Sequence, residues 1–399
     1  MPGQAIPLAL YVHIPWCVRK CPYCDFNSHN APGELPQREY VDALLRDLDR
    51  DLPLAQGRPL TSIFFGGGTP SLFSPDSIAR ILDGAAQRLT FAQGIEITLE
   101  TNPGTVEHGP FAGYRDAGVN RISLGVQSFD DDALRRIGRI HDGAQAERAV
   151  KQAQDAGLHN INLDLMYALP QQTLAMAIAD IEHALALRTP HLSHYQLTLE
   201  PNTPFAANPP PLPDEDSAWD IQEACQARLA QAGLAQYEVS AYARDGARCV
   251  HNLNYWHFGD YLGIGAGAHA KLTDASTFAI RRRWKLRAPR GYLEHAGTAR
   301  GVGGDDPVAR EQVPFEFMLN ALRLNDGFTL ADFSARTGLD AIVIADTLQD
   351  AHARGWLALD GDRVEPTELG RRFLNDVIGL FLPAKSTGAI HSHAGPAHD

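Results

Sequence analysis

The sequence contains no uninterrupted apolar run near the length of a membrane span, which excludes a helical membrane-spanning reading. It lacks a basic excess. Its 35 Lys and Arg stand against 48 Asp and Glu, a formal charge of −13. An acidic surface of that kind argues against nonspecific nucleic-acid binding, so no nucleic acid is expected as a partner. The segment Arg281-Arg282-Arg283-Trp284-Lys285 is the local exception. Met1 to Leu10 carries no Lys or Arg and too short an apolar stretch for a signal peptide. The glycine-rich segment Gly66-Gly67-Gly68-Thr69-Pro70 lacks the Gly-Lys-Ser/Thr ending of a phosphate loop and the G-x-G-x-x-G spacing of a dinucleotide site. Cysteine is scarce: the chain has five, an odd number, and three of them have spacing better suited to a metal than to disulfides. That usage points to a reducing cytoplasm.

Those three are Cys17, Cys21 and Cys24, in a Cys-x-x-x-Cys-x-x-Cys pattern just after the strand-like run Leu8–Ile14. Three thiolates on one short loop suit three irons of a cubane [4Fe-4S] cluster. The fourth iron then has no cysteine, because Phe26 stands at the next useful position. An open iron is a binding place for a substrate or cofactor. A zinc loop is the competing reading, but structural zinc needs four ligands and no second pair at zinc-finger spacing follows. Cys225 and Cys249 lie far downstream.

Apolar runs at Tyr11–Ile14, Ser62–Phe65, Ile95–Glu100, Arg121–Val126, Asn160–Met166 and Ser193–Leu199 alternate with stretches of helical spacing such as Arg38–Leu52, Pro75–Leu89 and Leu174–Leu187. This alternation predicts an α/β fold, a partial (β/α)6 barrel in residues 1–213, with an eight-stranded barrel as the alternative. The proline-rich break Pro201–Pro213 ends it. Residues 214–305 are expected to extend the barrel, and the arginine-rich, poorly periodic stretch Ala275–Gly304 is expected to be loop or lid. Residues 306–383 predict helices and a hairpin around Asp360-Gly361-Asp362, an α+β winged-helix-like module whose acidic helices favour a structural role. Residues 384–399 read as a disordered tail.

Chemistry in such barrels gathers at the C-terminal ends of the strands. There the sequence places the cysteine loop, the glycine segment, Glu100, Gln127 and, within the fifth strand, Asp164, with Arg139 a little after the fourth. Arg139 suits a carboxylate through a forked contact. Glu100, Gln127 and Asp164 can accept from ribose hydroxyls or an ammonium group. Each residue alone reads equally well as a cap or surface ion pair. His251-Asn252-Leu253-Asn254-Tyr255-Trp256 joins an imidazole to two aromatics. From residue types alone, a turn-capping histidine and a core tryptophan are the better reading, although imidazole and aromatics also suit heme.

The cysteine spacing resembles that of the radical S-adenosylmethionine (SAM) superfamily, in which the open iron takes the amino and carboxylate groups of SAM and an electron cleaves the sulfonium to a 5'-deoxyadenosyl radical. Gly66–Pro70 resembles the glycine motif that meets SAM's amino group there. With Tyr11–Cys17, Leu124–Phe129 and Asn162–Leu165, the chain resembles the oxygen-independent coproporphyrinogen III oxidase family over most of its length. The true oxidases have a fourth cysteine two residues after the third, and a longer N-terminal extension; here Phe26 stands in that place and Tyr11 is preceded by ten residues. Cys21–Ser28 and the His251–Trp256 pattern are similar to the heme chaperone branch, HemW. The resemblance implies a cluster on Cys17, Cys21 and Cys24. It implies SAM contacts at Tyr11, Gly67, Gly68, Thr69, Glu100, Gln127, Arg139 and Asp164, and a heme contact at His251. It further implies delivery of heme to acceptor proteins such as respiratory enzymes, without turnover. Radical decarboxylation of porphyrinogen propionates is the alternative. A homodimer and a peripheral membrane association stay open.

Overall fold

A computed structural model describes residues 6–108 and 110–383, so the expected tail, 384–399, lies outside the described residues. The first half follows the predicted alternation. Strands β1 (Leu8–Ile14), β2 (Leu60–Gly67), β3 (Phe91–Thr101), β4 (Arg121–Gln127), β5 (Ile161–Tyr167) and β6 (His191–Gln196) pair in parallel in chain order. The crossovers carry helices α1 (Gln37–Asp51), α2 (Pro75–Ala86), α3 (Phe111–Asp116), α4 (Asp131–Arg136), α5 (Gly143–Asp155) and α6 (Leu174–Ala186). In α1, Tyr40, Val41, Leu44 and Leu48 recur at helical spacing and are fully buried, together with Leu8, Leu10 and Val12 of β1. The odd-numbered side chains of β1, Tyr11 and His13, therefore face the other way, into the concave side of the sheet.

Beyond residue 213, helix α7 (Glu215–Gln231) leads to the short strands β7 (Ala235–Gln236) and β8 (Ala241–Ala243), which pair antiparallel beside β6. Helix α8 (Val250–Trp256) follows, then β9 (Asp260–Ile264), which returns to pair in parallel with the free side of β1. Strands β10 (His269–Thr273), β11 (Ile280–Lys285) and β12 (Val302–Pro307) add on antiparallel. The result is one open, twelve-stranded sheet in the order β12-β11-β10-β9-β1-β2-β3-β4-β5-β6-β8-β7. The eight-stranded barrel is not formed.

The expectation of a loop or lid at Ala275–Gly304 is corrected: the stretch holds β11, helix α9 (Pro289–His295) and the start of β12. Its inward-facing residues are cations, which hid the strand pattern. Lys285 is buried with its Nζ 2.7 Å from Asp51 of α1 and paired with Asp47, while Arg283 reaches Asp51 at 3.2 Å. Tyr292 of α9 donates to Asp47 at 2.8 Å. Removing one member of such a buried set strands its partners in low dielectric. Lys285→Met is therefore expected to cost about 3–5 kcal/mol of stability, read as a lower denaturant midpoint. An unchanged midpoint would show that the two aspartates are not buried as charges.

Helices α10 (Val313–Ala321), α11 (Leu330–Thr337) and α12 (Ile342–Ala353) form a second core with a three-stranded sheet of Phe328–Thr329, Arg363–Pro366 and Leu357–Asp360. The order helix, strand, helix, helix, hairpin is that of a winged helix. Among the described residues, no helix is long and apolar enough to cross a membrane.

Candidate functional site

The end of β1 delivers the chain into Trp16-Cys17, which pairs in parallel with His29-Asn30 and so pinches off a loop carrying all three early cysteines. The loop is held from within and without. Cys24 N–H donates to the Cys21 carbonyl at 3.2 Å, and Lys20 Nζ to the Phe26 carbonyl at 2.8 Å. The Asn27 amide donates to the carbonyls of Ala266 and Arg287, both at 2.9 Å, tying the loop to the β9–β10 turn and to the end of β11. All five cysteines are free thiols, and burial pushes Cys17 and Cys24 up. Phe26 is 47% exposed.

The glycine segment runs alongside. Gly68 N–H donates to the Ile14 carbonyl and Thr69 N–H to the Trp16 carbonyl, both at 2.8 Å. A side chain at 68 has no room, since a Cβ there would stand 2.5 Å from the Trp16 oxygen, and Gly67 adopts φ +112°. Gly67 N–H turns away to Glu100 at 3.2 Å. The Thr69 hydroxyl reaches Cys17. Tyr11 lies on the concave face, packed near Phe64 with its hydroxyl 3.1 Å from His13. Its ring lines the wall of that face.

Burial, reinforced by the charge of Asp164, raises the Glu100 carboxyl to about 8. In the ligand-free protein, folded Glu100 thus keeps its proton up to about pH 8, while unfolded Glu100 loses it near 4.5. Its contribution to stability is present at low pH and is lost as pH rises through 8. Glu100→Gln is expected to remove that loss, so the stability of wild type relative to the variant falls by a few kcal/mol, on the order of 1.4 per pH unit, between pH 5 and 8. Denaturant titrations across that range that run parallel for the two proteins would refute the assignment.

Gln127 ends β4 with φ +69°, after a register shift between Gly125 and Gln127. Such a bulge re-aims a side chain. Its oxygen accepts from Tyr195 at 2.7 Å, which fixes the amide and leaves its N–H2 group to donate beside the oxygen's second lone pair. Arg139 bonds the Gly125 carbonyl and stands 3.6 Å from the Cys21 sulfur, while its buried Nε has no partner among the described residues.

Asp164 is held by residues that the sequence reading passed over. Ser123 donates to Oδ2 at 2.9 Å and Asn162 to Oδ1 at 2.8 Å. The Asn162 nitrogen therefore faces Asp164, and its oxygen faces His191 Nδ1 at 2.6 Å. His191 must carry its proton on Nδ1, leaving Nε2 to accept from Tyr237 at 2.9 Å. Burial keeps this imidazole neutral. Every donor in the chain Tyr237–His191–Asn162–Asp164 points at the carboxylate. The period-two placement of Asn162 and Asp164 on one strand face was the available signal.

His251 lies in the core. It is 1% exposed, its Nδ1 lies 2.9 Å from Ser62, its Nε2 lies 2.8 Å from the Tyr255 hydroxyl, and its ring stacks on Phe64. Both nitrogens meet these neighbours, and the histidine fastens α8 to β2. Trp256 is likewise buried.

The radical SAM superfamily profile matches residues 11–184 and the HemN C-terminal domain profile residues 308–373. Heme chaperone HemW of Escherichia coli is 51% identical over 376 residues, covering 94% of this chain and 98% of that protein. The chain belongs to the HemW family. A mouse mitochondrial relative of the family, radical S-adenosyl methionine domain-containing protein 1, is 39% identical over 400 residues, 97% of this chain and 90% of that one. The fold is shared with coproporphyrinogen III oxidase (HemN) of Escherichia coli, TM-score 0.79 at 23% identity, covering 96% and 91% of the two chains. Radical SAM membership implies a [4Fe-4S] cluster and SAM for a HemW-family chain. The residues present fit both. Three thiols share one loop without a fourth cysteine, and the orphaned Arg139 Nε beside Cys21 suits a carboxylate. Among the described residues, no three His, Cys, Asp or Glu side chains converge as ligands of a single metal ion.

Proposed function

We propose that this protein is a heme chaperone: it binds heme and passes it to acceptor proteins, with a [4Fe-4S] cluster on Cys17, Cys21 and Cys24 and SAM at the same mouth. The observation that carries this reading is the near-complete coverage and 51% identity with heme chaperone HemW of Escherichia coli. Phe26, in place of a fourth cysteine, agrees with it.

When bound, the cluster supplies one electron and an open iron to SAM. The chain's own residues hold and orient the nucleotide. Arg139 meets the carboxylate; Gly67, Gly68 and Thr69 line the approach of the amino end; Glu100 and Asp164 accept from ammonium and ribose hydroxyls; the Gln127 amide donates; Tyr11 packs below. The site of action is the cytoplasm.

The test is anaerobic reconstitution of the cluster, titration with hemin by Soret absorbance, and a parallel assay with coproporphyrinogen III. Saturable heme uptake without decarboxylation is the expected result. Turnover of the porphyrinogen with release of 5'-deoxyadenosine, and no saturable heme uptake, would replace this reading with the oxidase.

A further inference from the structure

Below Asp164 the sheet carries a row of buried polar side chains. Register sets it. Ser123 of β4 pairs with Asn162 of β5, and Asn162 with His191 of β6, while two residues further along Gly125 pairs with Asp164 and Asp164 with Ser193. Paired residues share a face, and so do residues two apart on one strand. The Ser123–Asn162–His191 row therefore lies directly beneath the carboxylate, and all three side chains are buried.

An amide between hydroxyls can satisfy itself in either of two orientations. Asn162 is such a group. Ser123 stands 2.8 Å from its nitrogen and Ser193 3.1 Å from its oxygen, and hydroxyls rotate to donate or accept. The choice matters to Asp164. One orientation gives the carboxylate a donor at 2.8 Å; the other aims a carbonyl oxygen at it. His191 makes the choice. Its Nδ1 lies 2.6 Å from the Asn162 oxygen and its Nε2 2.9 Å from the Tyr237 hydroxyl. A neutral imidazole has one proton, so it donates to one neighbour and accepts from the other. The backbone N–H of Cys249, which can only donate, points at the Tyr237 oxygen from 3.3 Å. An obligate donor at the Cys249 end and an obligate acceptor at the Asp164 end give the whole series one direction. Burial, with the nearby cation of the buried Arg121, keeps His191 neutral, and a neutral ring is what the series needs.

We propose that His191 is a positioning residue for SAM: with its proton on Nδ1 it locks the Asn162 nitrogen toward Asp164, and so keeps that carboxylate oriented to accept from the ribose hydroxyls. The proposal rests on the reading that Asp164 meets SAM, and adds to it a residue one amide removed from the nucleotide.

The experiment compares SAM binding at equal cluster occupancy in wild type, His191→Gln and His191→Leu, with the dideoxyribose analogue of SAM as a second ligand. A glutamine amide donates toward Asn162 and accepts from Tyr237, so His191→Gln is expected to bind SAM within threefold of wild type. Leucine does neither. His191→Leu is expected to bind SAM at least tenfold more weakly, yet to bind the analogue, which has no hydroxyls for Asp164, as wild type does. A loss that strikes SAM and the analogue equally would make His191 a packing residue and overturn the proposal. Wild-type SAM affinity in His191→Leu, or a His191→Gln variant no better than the leucine one, would overturn it as well. A readout that needs neither nucleotide, cluster nor the leucine variant is nitrogen NMR of the imidazoles in the cluster-free wild type, with His191 assigned by its loss in His191→Gln. A protonated Nδ1 and a bare Nε2 at neutral pH are expected; the opposite tautomer overturns the proposal. Wild-type SAM affinity in Asp164→Asn would instead overturn the reading on which it rests.

Discussion

Cys21→Ser protein, reconstituted anaerobically with iron and sulfide, is expected to retain no stable four-iron cluster. Thiolate, not hydroxyl, is the ligand that holds such a cluster, and a serine hydroxyl stays protonated where a thiol gives up its proton to iron. The loop offers no substitute. Its other thiols are Cys17 and Cys24, Phe26 replaces any fourth, and the remaining cysteines, Cys225 and Cys249, are buried elsewhere. Two thiolates then face a cube that needs three. The loop backbone should survive, because the Asn27, Lys20 and Trp16–His29 contacts do not involve the Cys21 sulfur. The measurement is iron and sulfide content with the charge-transfer absorbance near 400 nm. Wild-type values in this variant would mean that the cluster sits elsewhere. Loss of SAM binding should accompany loss of the cluster, since the nucleotide's anchoring iron goes with it.

Asp164→Asn should weaken SAM binding by about 100-fold or more, the equivalent of losing one or two charge-assisted hydrogen bonds at about 1.5–3 kcal/mol each. The substitution is nearly isosteric but electrically inverted. Asn162 is pinned with its nitrogen toward residue 164, because its oxygen already accepts from His191 at 2.6 Å and from Ser193 at 3.1 Å. An amide at 164 that keeps its oxygen toward Asn162 must turn its own N–H2 toward Ser123 or the mouth, where ribose hydroxyls need an acceptor. Calorimetric titration with SAM at equal cluster occupancy gives the number. An affinity within threefold of wild type would remove Asp164 from the nucleotide's contacts.

Much of this site was readable because two codes overlap in the sequence. Short apolar runs fixed the parallel strands, and strand ends are where such folds keep their polar groups. The cysteine loop, Gly67-Gly68-Thr69, Glu100 and Asp164 fall at those ends as expected. What could not be read depends on partners far away in the chain. β11 looked like loop because Arg283 and Lys285 point inward, and only Asp47 and Asp51, more than 230 residues earlier, make that tolerable. The polarity of Gln127 was set by Tyr195, and the fate of His251 by Ser62 and Tyr255. A motif announces residue types, but whether a nitrogen is still available is decided by tertiary neighbours.

One carboxamide, that of Asn27, grips two carbonyls from the distant C-terminal strands. The iron-binding segment is therefore also a strut across a seam of the sheet. Because that grip uses no sulfur, the seam stays tied when the metal is lost, and the segment keeps its place for the cluster to be rebuilt.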